Sequence, residues 1–283
     1  MEQKYIKSPL NYTGGKYRLL KKIIPLFPNK IDTFVDLFGG AMNVCVNVGA
    51  GKIYGNDYIH YLPTLFDTWK NKNLEDINQY IDNKIKEFEL SGENYDSFIE
   101  FRKHYNNTKN IEDLFILICH SFNFQMRFNN SHEYNSSFGK TASTMNPKIR
   151  QNLNTFVKII KEKDITFTNK DFREFNFQGL GESDLVYCDP PYYISCGVYQ
   201  DGKRGFGGWT KKDDNDLMKL LDELNDLGVK FAMSNVFENK GLKHDDLINW
   251  SKKYNIHHLG MNYNSANYQR ESSKSDEVLI TNY

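Results

Sequence analysis

Thr33-Phe34-Val35-Asp36-Leu37-Phe38-Gly39-Gly40 and, shortly after it, Lys52-Ile53-Tyr54-Gly55-Asn56-Asp57 decide the fold. The first is a short apolar run ending on two glycines, which reads as a buried strand running into a glycine turn. Residues 41–48 would begin the helix after that turn. The second reads as another strand, ending in an acid. Strand, glycine turn, helix, strand and acid follow one another as in a βαβ unit of a doubly wound α/β sheet. In such a unit the glycine turn lets a cofactor approach the backbone. The acid, about 20 residues on, is placed to accept hydrogen bonds from a ribose. Alone this pattern is weak, because it is not GxGxxG and glycines often follow strands for turn reasons only.

Working outward, Lys16 to Phe27 carries apolar residues at Leu19, Leu20, Ile23 and Ile24 against a basic back. This is a helical spacing stopped by Pro25 and Pro28. Just before it, Tyr12-Thr13-Gly14-Gly15-Lys16 has the look of a phosphate loop's end. The spacing GxxxxGK[ST] is missing, however, so the stretch reads as a turn rather than an ATP site. From about 60 to 160 helical patterns dominate, at Tyr61 to Lys70, Leu74 to Leu90, Tyr95 to Tyr105 and Ile111 to Phe122. The polar stretch Asn129 to Asn146 is too poor in apolar residues for a core and reads as an exposed loop. Strands are expected again at Ile165 to Thr168, Leu185 to Cys188, Val229 to Ser234, around His257 and from Glu277 to Tyr283. Helices are expected at Lys211 to Leu227 and Leu242 to Tyr254. The glycine-rich segment between Tyr193 and Thr210 reads as a mobile loop.

Composition narrows the class. The chain has 283 residues, with 36 Lys+Arg against 36 Asp+Glu, so its formal charge is zero. With 39% hydrophobic and 25% charged residues it is an ordinary globular sequence, not a disordered one. No apolar run approaches the roughly 18 residues of a membrane helix, so no membrane association is expected. The start, MEQKYIKSPLNY, lacks a signal's apolar stretch and predicts a cytoplasmic protein. Cys45, Cys119, Cys188 and Cys196 are scattered without a CxxC, which argues against a disulfide framework and a zinc site; no metal is expected. A neutral chain that binds nucleic acid must gather its positive charge on one face. Lys16, Arg18, Lys21 and Lys22, or Lys203, Arg204, Lys211 and Lys212, could supply it, although each cluster taken singly reads as solvated surface.

The decisive chemical motif is Asp189-Pro190-Pro191-Tyr192. It follows an apolar run, so Asp189 lies at the carboxyl end of an expected strand, where open α/β sheets bind ligands. Two prolines fix the backbone and remove two N–H donors, leaving carbonyls to accept. A carboxylate, carbonyls and an aromatic ring together suit a planar base with an exocyclic amine. The bare tetrapeptide would equally serve as a rigid turn with a core tyrosine.

With these motifs in place the sequence resembles the Dam-type (D12 class, alpha group) DNA N6-adenine methyltransferases. The likeness runs through the chain in the family's order: YTGGK, DLFGG, GND, a helical insertion, Asp171-Phe172, DPPY and the closing SDEVLITNY. The resemblance implies a Rossmann-like seven-stranded sheet that binds S-adenosylmethionine, with a helical target-recognition insertion. Residues 1–60 and 160–283 would form the catalytic domain and 61–159 the recognition domain. Carried over by position, Tyr12 and Lys16 would contact the cofactor, with Asp36, Phe38, Gly39 and Gly40 around its pocket. Asp57 would hold the ribose, and Asp171 and Phe172 the cofactor's adenine. Asp189, Pro190, Pro191 and Tyr192 would carry catalysis, Asp189 lying between cofactor and target base. This chain has Tyr12 where many members have tryptophan, and Ala41-Met42 where another glycine is common.

For target recognition the resemblance points to Ser121 to Asn129, with Arg127 suited to guanine and Asn123 and Asn129 to adenine edges. Members that read GATC carry Asn-Gly-Leu about where Phe124-Gln125-Met126 stands, so the target sequence is left open. The expected partner is double-stranded DNA, with a cognate restriction endonuclease acting separately, and the enzyme is expected to be a monomer. The rival readings are a methyltransferase of RNA adenine or protein glutamine, and a non-catalytic DNA-binding relic of the fold. The first rivals generally carry Asn-Pro-Pro-Tyr soon after the cofactor motif, whereas here the first residue is Asp and a long insertion intervenes.

Overall fold

The computed structural model describes residues 5–12, 14–195, 208–260 and 275–283, with the side chain of residue 142 left aside. Cys196, Lys203, Arg204 and most of the glycine-rich segment therefore lie outside the described residues, as does Thr13.

The strands are β1 (Thr33–Asp36), β2 (Lys52–Asn56), β3 (Ile165–Thr168), β4 (Leu185–Cys188), β5 (Lys230–Asn239), β6 (Leu242–Lys243), β7 (Asn255–His258) and β8 (Ser275–Thr281). Seven of them line up in the order β3-β2-β1-β4-β5-β8-β7, and the two-residue β6 folds back on β5. The first five run parallel and β8 is antiparallel to both its neighbours. The expected Rossmann-like α/β sheet is thus present. Chain order reverses direction between β1 and β4, which places the sheet's ligand-binding crevice at their carboxyl ends.

Strand alternation builds two cores. Phe34, Leu185, Tyr187, Ala232 and Leu279 face one apolar layer; Val35, Val186, Phe231, Met233, Val278 and Ile280 face the other. Both faces are covered, so the central strands read as continuous apolar runs rather than alternating ones. The second layer is closed by α7 (Lys211–Asp226) and α8 (Asp245–Ser251), through Leu217, Leu221, Leu224 and Leu247. Thr210 and Asp213 form a capping box that starts α7.

The helical section comprises α2 (Tyr61–Asn71), α3 (Leu74–Glu87), α4 (Tyr95–Thr108), α5 (Ile111–His120) and α6 (Pro147–Glu162), after the short α1 (Leu20–Ile23). Its apolar core is continuous with the first layer of the sheet. Phe66 of α2 lies 5.7 Å from Phe167 of β3 and 5.1 Å from Phe156 of α6, ring centre to ring centre. Helix α5 is buried on every side from Glu112 to His120, which its apolar sequence dictates. Among the described residues no helix is long and apolar enough to cross a membrane.

Three expectations need correction, and one helix is added. Residues 41–48 form consecutive turns, not a helix. Met42 takes a positive φ of 58°, and the Cys45 amide donates to Asp36 Oδ2 at 3.1 Å instead of to the chain behind it. The polar stretch from 129 to 146 is not simply an exposed loop. Tyr134 is buried, with its hydroxyl 2.7 Å from Ser121 Oγ and 3.0 Å from the Gln125 carbonyl. Phe138 adds a second anchor, its ring 5.4 Å from that of Phe98. Helix α6, which was not singled out, begins at an Asn146 cap followed by proline, and Leu153, Phe156, Val157 and Ile160 line its inner face. Finally, β5 runs on to Asn239 and α8 shrinks to Asp245–Ser251, because the β5–β6 hairpin takes the residues between.

Candidate active site

The site is assembled at the carboxyl ends of β1, β2, β3 and β4. Asn56 fastens three of them: its amide donates to the Leu37 and Lys170 carbonyls at 3.0 Å each. Its carbonyl oxygen accepts from Thr168 Oγ1 at 2.8 Å and Lys170 N at 3.0 Å. The turn after β1 is shaped by close approach. Gly39 donates to the Asn56 carbonyl at 2.7 Å, and a Cβ there would drive into the Met42 thioether and lie 3.2 Å from that carbonyl. Gly40 has φ +49°, and a Cβ on it would stand 3.0 Å from the Tyr12 ring. Tyr12 thus lies across the glycine turn, next to the segment that leads into Lys16.

Asp57 sits where the second strand ends. Its Oδ2 accepts from the Gly40 amide and its Oδ1 from the Ile59 amide, both at 2.8 Å. These bonds use two of the four lone-pair directions of a carboxylate. Asp36 is 1% exposed; Oδ2 is held by Cys45, while Oδ1 has no hydrogen-bond partner among the described residues. Burial first, and then the charge of Asp189, push its carboxyl well above the usual carboxylate range.

Phe38, Phe172 and Trp209 form an aromatic group beside the turn. Phe38 is 5.5 Å from both Phe172 and Trp209, and Phe172 is 5.6 Å from Trp209. The Arg173 guanidinium covers Phe172 from 4.2 Å and pairs with Asp171, Asp213 and Asp216 at 3.2, 2.6 and 2.8 Å. Asp171 also accepts from the Arg173 amide at 2.9 Å.

The elbow after β4 lies across the crevice. Lys16, buried at 6% exposure, places Nζ 2.7 Å from Asp189 Oδ1 and 3.6 Å from Glu277 Oε1, and donates to the Gly14 carbonyl at 3.1 Å. The Tyr192 hydroxyl is 3.2 Å from Asp189 Oδ1 and 3.0 Å from Glu277 Oε1, so its one proton serves two carboxylates. The Lys16 ammonium also lies 4.9 Å from the centre of the Tyr192 ring. Burial raises the Asp189 pKa and Lys16 opposes that shift, while Glu277 adds to it. Burial, Asp189 and Glu277 together hold the Tyr192 phenol well above its ordinary range. Pro190 is buried and Pro191 exposed. Such a cluster can hold a polar planar group against a carboxylate and keep that carboxylate in place.

The structure therefore brings Tyr12, Lys16, Asp36, Phe38, Gly39, Gly40, Asp57, Asp171, Phe172, Asp189, Pro190, Pro191 and Tyr192 to the ends of neighbouring strands. The recognition candidates follow α5 in the chain. Asn123 is exposed, with a positive φ of 53°, and its carbonyl accepts from the Asn11 amide at 3.3 Å. Arg127 is exposed and its backbone is held by Ser136 Oγ at 3.0 Å. Asn129 is engaged in its own turn: Oδ1 accepts from Ser131 and Glu133 amides, and Nδ2 donates to Glu133 Oε2 at 2.9 Å.

Three residues escaped the sequence reading: Asn56, Trp209 and Glu277. Glu277 belongs to the quoted SDEVLITNY, and an acid opening an apolar strand was its only signal. Trp209 stands just before a capping box, a position that marks a helix start rather than a pocket.

Comparisons with known proteins identify the family. The model of the family described as D12 class N6 adenine-specific DNA methyltransferase matches residues 12–265. The chain is 49% identical over 279 residues to the type II methyltransferase M.FokI of Planomicrobium okeanokoites, an alignment that covers 99% of this chain and 43% of that protein. It is 46% identical over 283 residues to the modification methylase StsI of Streptococcus sanguinis, with 99% and 43% covered. It is 28% identical over 188 residues to a DNA adenine methylase of Haemophilus influenzae, with 65% and 63% covered. The chain spans less than half the length of the first two relatives. With a family model matched from the YTGGK segment to beyond β7, the chain belongs to the D12 class of N6 adenine-specific DNA methyltransferases.

Proposed function

We propose that the protein is a site-specific DNA methyltransferase that transfers a methyl group from S-adenosylmethionine to N6 of an adenine flipped out of double-stranded DNA. The observation that carries the reading is the adjacency of Asp189 to the Lys16 segment and the glycine turn, at the switch point of the sheet. The residues present fit the cofactor. Gly39 and Gly40 let Met42 and Tyr12 close on the turn, the buried Asp36 Oδ1 lacks a partner among the described residues, and the half-buried Phe38 supplies an aromatic ring beside the turn. Tyr12, Lys16, Asp36, Phe38, Gly39, Gly40, Asp57, Asp171 and Phe172 would hold it, with Asp57 toward the ribose and Phe172 toward the purine. When bound, S-adenosylmethionine supplies a methyl group made electrophilic by its sulfonium.

The chain's own residues do the rest. Extruding adenine costs a few kcal/mol. Tyr192 receives the base face, and Asp189 and the Pro190 carbonyl accept the two protons of the amine, while Pro191 stiffens the turn. Those bonds direct the nitrogen lone pair away from the elbow and stabilise positive charge as it develops on N6. Lys16 opposes the effect of burial on Asp189 and so favours its ionised form. Segment 61–159 carries target recognition, with Arg127 and Asn123 presented to base edges and Asn129 shaping the turn beside them, whereas 1–60 and 160–283 carry catalysis. The protein acts in the cytoplasm as a monomer, and a cognate restriction endonuclease acts separately. Incubation with methyl-labelled cofactor and defined duplexes, read by sequencing for 6-methyladenine, tests this: label on N6 at one sequence context is the expected result, and no transfer to DNA overturns it.

A further inference from the structure

Beyond the elbow lies a buried acid–histidine pair that the mechanism does not use. Asp214, on the first turn of α7, and His244, which precedes α8, are each 5% exposed, with Asp214 Oδ2 2.6 Å from His244 Nε2. The Leu247 amide donates to His244 Nδ1 at 3.4 Å, which leaves the ring proton on Nε2, facing the carboxylate. The other oxygen of Asp214 accepts from the Trp209 indole N–H at 2.6 Å. Trp209 is half-buried, and its ring meets Phe38 edge-on at 81° and Phe172 at 43°.

We propose that Asp214 and His244 are positioning residues that hold Trp209 as the third wall of the cofactor's purine slot, an inference that rests on the cofactor reading given above. An indole has one N–H and so one anchoring direction. A carboxylate fixed on its far side by a buried histidine turns that direction into a fixed ring plane. The indole packs against the rings of Phe38 and Phe172, which follow β1 and β3. The wall thus comes from the residue before the cap of α7, and its anchor joins the first turn of α7 to the cap of α8. Loss of the anchor leaves Trp209 in the chain but free to turn, so the cost falls on cofactor binding rather than on transfer.

The test measures binding of S-adenosylhomocysteine by calorimetry and by tryptophan fluorescence, alongside steady-state kinetics. Asp214→Asn, whose amide cannot accept from both indole and imidazole, is expected to weaken binding about tenfold and to raise KM for the cofactor alike, with kcat nearly unchanged. Trp209→Phe should do the same, and the double variant should be no worse than either single one, since both break one link. Asp222→Asn is the control. Asp222 accepts from the Trp250 indole at 2.9 Å and the Tyr254 hydroxyl at 2.6 Å, so its loss should lower Tm without changing affinity. Asp214→Asn binding like the parent, or additive losses in the double variant, would overturn the wall while leaving the cofactor reading intact. A parent chain that binds no S-adenosylhomocysteine would overturn both.

Discussion

Lys16 Nζ lies 2.7 Å from Asp189 Oδ1, and that buried contact joins the amino-terminal YTGGK segment to the elbow after β4 across the crevice of the sheet. One ammonium faces two carboxylates there, because Glu277 stands 3.6 Å away. Burial and the balance among these three charges govern how readily Asp189 takes up a proton.

Replacing Lys16 removes the group that opposes burial at Asp189. Lys16→Met should lower kcat/KM by about a hundredfold or more, the scale seen when one charge-stabilising group is lost. With burial and Glu277 opposed only by the Tyr192 hydroxyl, the Asp189 pKa rises further. The acidic limb of the rate profile should therefore move to higher pH, which a kcat/KM titration would reveal.

Glu277→Gln acts in the opposite direction. Glu277 raises the Asp189 pKa, so neutralising it should shift the acidic limb to lower pH. Glutamine keeps an oxygen for the Tyr192 hydroxyl, which should preserve much of the activity above neutrality. Opposite displacements in these two variants are the signature to seek.

Asp36 predicts a stability effect with a definite sign. Burial raises its folded pKa above the unfolded value, so the folded state holds the proton more tightly and the parent loses stability as pH rises between the two. Asp36→Asn removes that loss while retaining an acceptor for Cys45. Measured by denaturant unfolding, the variant should gain on the parent steadily from about pH 4 upward, starting from the ordinary aspartate range.

Gly40→Ala places a methyl 3.0 Å from the Tyr12 ring in a left-handed backbone. Such a change costs about 1–2 kcal/mol of stability, and it should weaken cofactor binding by displacing Tyr12. Thermal unfolding with and without S-adenosylhomocysteine separates the two effects.

The sequence conveyed the frame because its signals were local. β1 and β2 are short apolar runs with glycines at their ends, and Asp189 follows an apolar run, so each could be read without its neighbours. What escaped depended on distant pairing. Glu277 reaches the site only because β8 inserts antiparallel between β5 and β7. Trp209 joins it only because α7 starts beside Phe38 and Phe172. The expected helix at 41–48 was lost to Asp36, whose carboxylate draws the Cys45 amide away, a competition that apolar spacing does not register. Tyr134 shows the same limit: two aromatics, Tyr134 and Phe138, in a polar stretch give no periodic signal, yet the Tyr134 hydroxyl ties the stretch to Ser121 at the end of α5.

The central claim is that Asp189 holds the amine of an extruded adenine. Its most direct measurement is single-turnover transfer of labelled methyl to a duplex containing the target, by the parent and by Asp189→Ala, with S-adenosylhomocysteine binding measured in parallel. With the parent, label is expected on adenine N6. In the variant the rate should fall by at least about a hundredfold while cofactor is still bound. Transfer by Asp189→Ala at the parent rate would contradict it.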